Sequence, residues 1–391
     1  MAKKKFKRNL SFNEKLYKVI EENYESLAIQ IVVEGFGQIN SNDFYDAVKK
    51  ACDACPLSKC TYSNNQWVES TKTTPIYYLT SLEFDGFDFS SDLFKRKINH
   101  DKNPVTEIFF IRSNPNRIIF RIFHGAMDGK GALIWIKNIF KALNKKTLIQ
   151  CPSTENDLTI LSKLPLKNKN SKIKFDKTVI EHKSNHNKIE SNKINIKRLS
   201  LKGNYTAIIS KIAKVLTDVF DDSNSKYLIP SNLRKYNQDI ICNSNLTYPI
   251  YLECSKSESF EEINSKFISK LKNHDDLNIK PLNFKLLNKL SITTLNLIIK
   301  TLHFNQKIKN KYMISSIISH LGTIDTTDFS TDEFFSTNLY SIPFSQPFSP
   351  IFLTIVINQQ TTEILLSAYE NIIPLPLLNN LLDSIKEFLT K

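Results

Sequence analysis

The sequence predicts an α/β protein built as two lobes, on three observations. Apolar runs rich in strand formers, such as Arg117-Ile118-Ile119-Phe120-Arg121-Ile122-Phe123, alternate with segments whose apolar residues recur at helical spacing, such as Leu133, Ile136, Ile139, Phe140 and Leu143. This alternation occurs on both sides of a stretch rich in Lys, Asn and Ser, from Pro152 to about Arg198. The chain of 391 residues, 41% apolar and with 26 phenylalanines, is long enough for two cores. The expected organisation is a first lobe over 1–151, a polar crossover over 152–198 and a second lobe over 199–391.

The elements follow in order. Ser11-Phe12-Asn13-Glu14 fits a capping box, so a helix of about two turns should begin there. Leu27 to Val33 reads as a strand closing at the turn Glu34-Gly35-Phe36-Gly37, and Ser41 or Asn42 can cap a helix running to about Cys55. Glu107–Arg112 and Arg117–Phe123 flank the turn residues Ser113-Asn114-Pro115-Asn116, which predicts a hairpin. In the crossover, His182 and His186 have metal-like spacing without a third ligand and read as part of a solvated loop. Tyr205–Phe220 is a helix by its apolar spacing, and Tyr227–Arg234 is a strand with asparagines, Asn243 and Asn245, soon after. Leu282–Phe304 predicts a long apolar helix. It could line a tunnel or rest on a membrane, although packing on the second lobe is the simpler account. Tyr312–Ile318 reads as a strand leading to Ser319-His320-Leu321-Gly322. Phe352–Ile357 and Glu363–Tyr369 predict a final hairpin, before a helix over Pro376–Leu389.

Reactive chemistry concentrates in one loop. Only eight glycines occur in the chain, and three of them, Gly125, Gly129 and Gly131, fall in His124-Gly125-Ala126-Met127-Asp128-Gly129-Lys130-Gly131. A strand therefore delivers His124 to a constrained loop, and a helix follows. A neutral imidazole removes protons well near pH 7, because its ordinary pKa is about 6.5. Attack by a hydroxyl or amine on an activated carbonyl needs such a base, a hold on the oxyanion and orientation. No G-x-S-x-G elbow suggests a serine nucleophile. His124 and Asp128 are one helical turn apart and could be read as a metal pair, but three glycines disfavour a helix there and no further ligands are apparent, so no metal is expected.

The His124-x-x-x-Asp128-Gly129 pattern resembles the HxxxDG signature of the chloramphenicol-acetyltransferase-like superfamily, which includes condensation domains and alcohol acetyltransferases. The opening order of helix, strand, glycine turn, helix, Pro56-Leu57 and strand also resembles condensation-type acyltransferases, as does Pro230-Ser231-Asn232-Leu233-Arg234, a "PxxLR" element, in the second lobe. The resemblance implies two sandwich lobes with a central cleft or tunnel. It implies acyl transfer from a pantetheine thioester, acyl-CoA or an acyl-carrier protein, to a small-molecule hydroxyl or amine acceptor, with no bound cofactor. His124 would be the general base. Asp128 would face away from the substrate and pair with an arginine, for which Arg234 is the candidate. Gly129 would serve a tight backbone passage and Gly125 would support the loop. Ser319 and His320, where the family often has "SNLG", would line the opposite wall. Two departures stand out: Phe123 replaces the first of the adjacent histidines usual in condensation domains, and no DFGWG motif occurs in the C-terminal half. They keep open an alternative, a non-catalytic relative binding an acyl or peptidyl ligand or a partner protein.

The remaining composition bounds partners. The formal net charge of +14 suits coenzyme A, whose phosphates are anionic, and an acidic carrier protein equally. No nucleic-acid module is recognisable. Six cysteines, including Cys52-x-x-Cys55, read as small core residues rather than a zinc or disulfide set. With no signal peptide and no apolar run long enough to span a bilayer, a cytoplasmic monomer is expected.

Overall fold

The computed structural model describes residues 5–80, 84–164, 193–220, 224–237, 239–278, 287–309 and 312–391. His182 and His186 lie outside them, as does the start of the helix expected from Leu282.

Two mixed sheets form the framework. The first has the order β12 (Phe334–Ile342), β2 (Ala28–Gly37), β7 (Asn116–Phe123), β6 (Thr106–Ile111), β5 (Ile76–Leu79). The second runs β10 (Thr247–Cys254), β9 (Ser225–Asn232), β11 (Ser316–Thr323), β13 (Ile351–Ile357), β14 (Thr361–Tyr369), β8 (Ile194–Lys202). A small sheet of β1 (Lys7–Asn9), β4 (Gln66–Glu69) and β3 (Cys60–Ser63) lies beside the first. Eight helices occur among the described residues: α1 (Phe12–Asn23), α2 (Ser41–Ala54), α3 (Gly129–Leu143), α4 (Asp157–Leu161), α5 (Ile208–Val219), α6 (Phe260–Lys272), α7 (Ile292–Lys309) and α8 (Leu375–Thr390).

Each sheet buries an apolar face under helices. The first core joins Ile31, Val33, Ile118 and Phe120 of the sheet to Phe44 and Val48 of α2 and Trp135 and Phe140 of α3. The second joins Ile229, Leu353, Ile355 and Leu366 to Ile212 and Leu216 of α5 and Leu381 and Ile385 of α8. A further cluster bridges the two halves: Val19 and Ile20 of α1, Leu295 and Ile299 of α7, Ile317 of β11 and Phe352 of β13.

Several elements differ from expectation for identifiable reasons. Helix α1 runs three turns, since its apolar face continues to Val19 and Ile20 against α7. Gly35 and Gly37 continue β2 rather than turning it. A Cβ at Gly35 would stand 2.4 Å from the Phe335 carbonyl oxygen, and one at Gly37 2.0 Å from that of Glu333. These glycines admit the close, bulged approach of β12, whose register shifts between Ser336 and Asn338. Asn40, not Ser41 or Asn42, caps α2. Ser319-His320-Leu321-Gly322 lies inside β11 rather than after it. Helix α7 shares a core with Ile317 and Phe352 of the second sheet, and it packs on α1 as well, where Asn23 Nδ2 donates to Asn296 Oδ1 at 3.0 Å.

Six strands went unread in the sequence, β1, β4, β5, β8, β10 and β12, and two of them join the halves. β8 begins within the predicted polar crossover, and β12, late in the chain, completes the first lobe's sheet by pairing with β2 from Gln30↔Ile342 to Gly37↔Phe334. Where these strands meet, charges interlock. Arg198 of β8 donates to Glu363 (2.8 Å), reaches Glu34 of β2 (3.3 Å) and lies 3.6 Å from the Tyr340 ring centroid. Glu34 also accepts from Arg117 at 2.8 Å. Two guanidiniums and two carboxylates balance in a buried site joining both sheets.

Candidate active site

Strand β7 ends at Phe123 and the chain turns sharply, held by the His124 N–H donating to the Leu27 carbonyl (3.0 Å) and the Ala126 N–H to that of Phe123 (3.0 Å). Gly125 is required sterically: a Cβ there would stand 2.3 Å from the Phe123 ring. Asp128 then caps α3, accepting from the Gly131 N–H at 2.7 Å and satisfying one of the helix's free donors. His124 and Asp128 thus sit on a turn and a helix cap, not on one helix face.

The carboxylate of Asp128 is fully engaged by donors other than the His124 ring. Arg234 Nη1 donates to both of its oxygens (3.1 and 2.8 Å), and the Leu246 N–H to Oδ2 (2.7 Å). The other donors of Arg234 reach the Cys242 and Ser244 carbonyls at 2.9 and 2.6 Å. The pair is buried and ties the loop to the segment before β10.

That segment lies directly over the loop. The Asn245 N–H donates to the Ala126 carbonyl (3.0 Å), and its side-chain amide to the His124 carbonyl (2.8 Å). Gly131 passes beneath Asn243, whose carbonyl oxygen would be 2.3 Å from a Cβ. Gly129, by contrast, is not required by packing: a Cβ there would meet only the Leu321 side chain, at 3.5 Å. The tight passage belongs to Gly131.

The imidazole is oriented by one bond. Nδ1 is 3.1 Å from the Met127 carbonyl, which can only accept, so Nδ1 carries the proton and the lone pair lies on Nε2. The Asn245 amide nitrogen 3.3 Å from Nδ1 is then a second donor in contact rather than a bonding partner. The ring is half-buried between Tyr17 of α1 (centroids 4.5 Å apart, 33° tilt) and the edge of Phe344 beyond β12 (5.5 Å, 71°). Burial lowers the His124 pKa below its ordinary value, against the raising effect of the bond to Met127, so the ring is neutral near pH 7. Burial also pushes Tyr17 up to about 12, keeping its hydroxyl protonated. Phe123, in place of a first histidine, stacks on His100 (4.3 Å), whose Nε2 lies 3.1 Å from Glu21.

Ser319 and His320 do not line one wall together. Adjacent strand residues face opposite sides, and the register pairs Ser319 with Thr354 but His320 with Ile355 of the second core. His320 therefore shares a face with Ile318, and its Nε2 is buried without a hydrogen bond. Leu321, two residues beyond Ser319, is the β11 side chain placed against Gly129. Tyr17, Asn245 and Phe344 are site residues that sequence reasoning missed. Only Asn245 carried a signal, as an asparagine soon after "PxxLR", with no role attached.

The sequence matches no family model and no curated protein. Solved structures do resemble the fold across nearly the whole chain. The condensation domain of the monacolin K polyketide synthase MokA aligns with TM-score 0.65 at 7% identity, covering 100% of this chain and 99% of its own. Polyketide synthase associated protein 5 from Mycobacterium tuberculosis aligns with TM-score 0.65 at 10% identity, covering 98% and 97%. TRI101 of F. graminearum, solved with ethyl coenzyme A, aligns with TM-score 0.59 at 13% identity, covering 94% and 96%. The chain has the two-lobed fold shared by condensation domains and chloramphenicol-acetyltransferase-like acyltransferases.

Proposed function

We propose that this protein is an acyltransferase moving an acyl group from a pantetheine thioester to a hydroxyl or amine, with His124 Nε2 as the general base. The observation that carries the reading is the Met127 carbonyl oxygen 3.1 Å from His124 Nδ1, an acceptor that favours the proton on that nitrogen. This leaves an unprotonated nitrogen where a loop of one lobe meets the segment 242–247 of the other. Nε2 takes the acceptor's proton as its oxygen or nitrogen bonds to the acyl carbon. As the tetrahedral adduct collapses, the carbon–sulfur bond breaks and the thiolate recovers the proton from the imidazolium. Asp128 and Arg234 keep the loop in place from behind. The fold's occurrence in TRI101 with a coenzyme A derivative supports a free thioester donor; its occurrence in condensation domains supports a carrier-bound one.

The test is thiol release from a panel of acyl-CoAs with mixed alcohol and amine acceptors, repeated with a charged carrier protein. His124→Ala should lower acceptor-dependent release roughly 10²–10⁴-fold while the circular dichroism spectrum stays unchanged. Equal rates in the two proteins would remove His124 as the base. A protein that binds acyl ligands with the same affinity in both forms but turns over neither would be the non-catalytic alternative.

A further inference from the structure

We propose that the outward face of α7 docks this protein on an anionic lipid surface. The helix is apolar on both sides. Leu295 and Ile299, 2% and 5% exposed, pack against α1, whereas Leu297, Phe304 and Ile308 are 68%, 64% and 66% exposed. At 3.6 residues per turn these three lie within about 40° of arc, forming a stripe along the helix. Thr301 falls in the same stripe, and its hydroxyl is satisfied by the Leu297 carbonyl (2.9 Å), so it adds no free polar group. Leu302 and Ile298, 42% and 39% exposed, widen the apolar surface.

Charge selects the occupant. Lys300 and Lys307 are exposed on one flank of the stripe, and neither is ion-paired among the described residues. From residue 277 to 324 the sequence holds seven lysines and no Asp or Glu, within a chain of net charge +14. An apolar stripe flanked by lysines, whose stems lie along apolar surface while their ammonium groups reach outward, matches the acyl boundary and headgroup layer of an anionic leaflet. Among the described residues no helix is long and apolar enough to cross a membrane, so α7 would lie in the interface.

The test is co-sedimentation of the full chain with vesicles of phosphatidylcholine alone or of phosphatidylcholine with phosphatidylglycerol. Binding should require the anionic lipid and weaken with salt. Lys300→Glu with Lys307→Glu should weaken it roughly tenfold or more, as should Phe304→Ser with Ile308→Ser, with thermal melting unchanged in both pairs. Absence of vesicle binding by the wild-type chain, or binding indifferent to lipid charge and to both pairs, would overturn the proposal. So would a dimer in sedimentation velocity that Phe304→Ser abolishes without any vesicle binding, since the stripe would then be covered by a second copy.

Discussion

At the scale of single residues, His124 is defined by what surrounds it rather than by its neighbours in sequence. Its lowered pKa has a readable sign: a base neutral to lower pH than free histidine keeps the rate on its plateau further into acid. The acidic limb of kcat/KM against pH should therefore turn below 6.5, the ordinary value for histidine; a midpoint at or above it would contradict the burial described. Arg234 gives a stability prediction. Arg234→Met strands a buried carboxylate and should cost about 3–5 kcal/mol by urea unfolding. Milder loss would mean that Leu246 and Gly131 alone sustain Asp128. Much at this scale was legible in the sequence, because glycines are rare in this chain and their clustering marks the loop. Tyr17 and Phe344 were not, since an aromatic in an amphipathic helix or beyond a strand reads as ordinary core until folding brings it to the imidazole.

At the scale of elements, the glycine loop separates two demands that the motif alone merges. Gly131→Ala drives a methyl into a backbone carbonyl that cannot rotate away and should destabilise by about 1–3 kcal/mol. Gly129→Ala meets only a leucine side chain and should leave the melting temperature nearly unchanged; the reverse order would show that the loop is seated differently. Strands buried on both faces, such as β6, β7 and β13, were legible from their density of apolar strand formers. β8 was not: it is a sheet edge whose sequence, Ile194-Asn195-Ile196-Lys197-Arg198-Leu199, carries polar residues into a charged interior site, so composition masked it. β12 escaped for a similar reason, with Ser336, Thr337, Asn338 and Ser341 interrupting its apolar pattern.

For the whole molecule, the two sheets are joined by charge as well as by apolar packing. Replacing Arg198 with Met removes the cation shared by Glu34 and Glu363 and should cost about 3–5 kcal/mol. Glu34 keeps Arg117 (2.8 Å), while Glu363 is left with Ser200 (2.6 Å) and Asn338 (2.8 Å). Adding Glu363→Leu should recover most of that loss; a double variant as unstable as the sum of its parts would mean that the residues do not act as one network. The long reach of β12 was beyond sequence patterning, which reads local periodicity but not which sheet a late strand will join.

The place of β12 also bears on how the protein is made. The outer edge of β2 stays bare until residues 334–342 leave the ribosome, although its partner on the other side, β7, is complete by residue 123. At typical synthesis rates of 5–20 residues per second, that gap of about 210 residues lasts roughly 10–40 s. For that interval the nascent chain carries an unpaired strand open to a neighbouring polypeptide on the same message. Truncated products ending before residue 334 should therefore accumulate as aggregates rather than as a soluble half-protein.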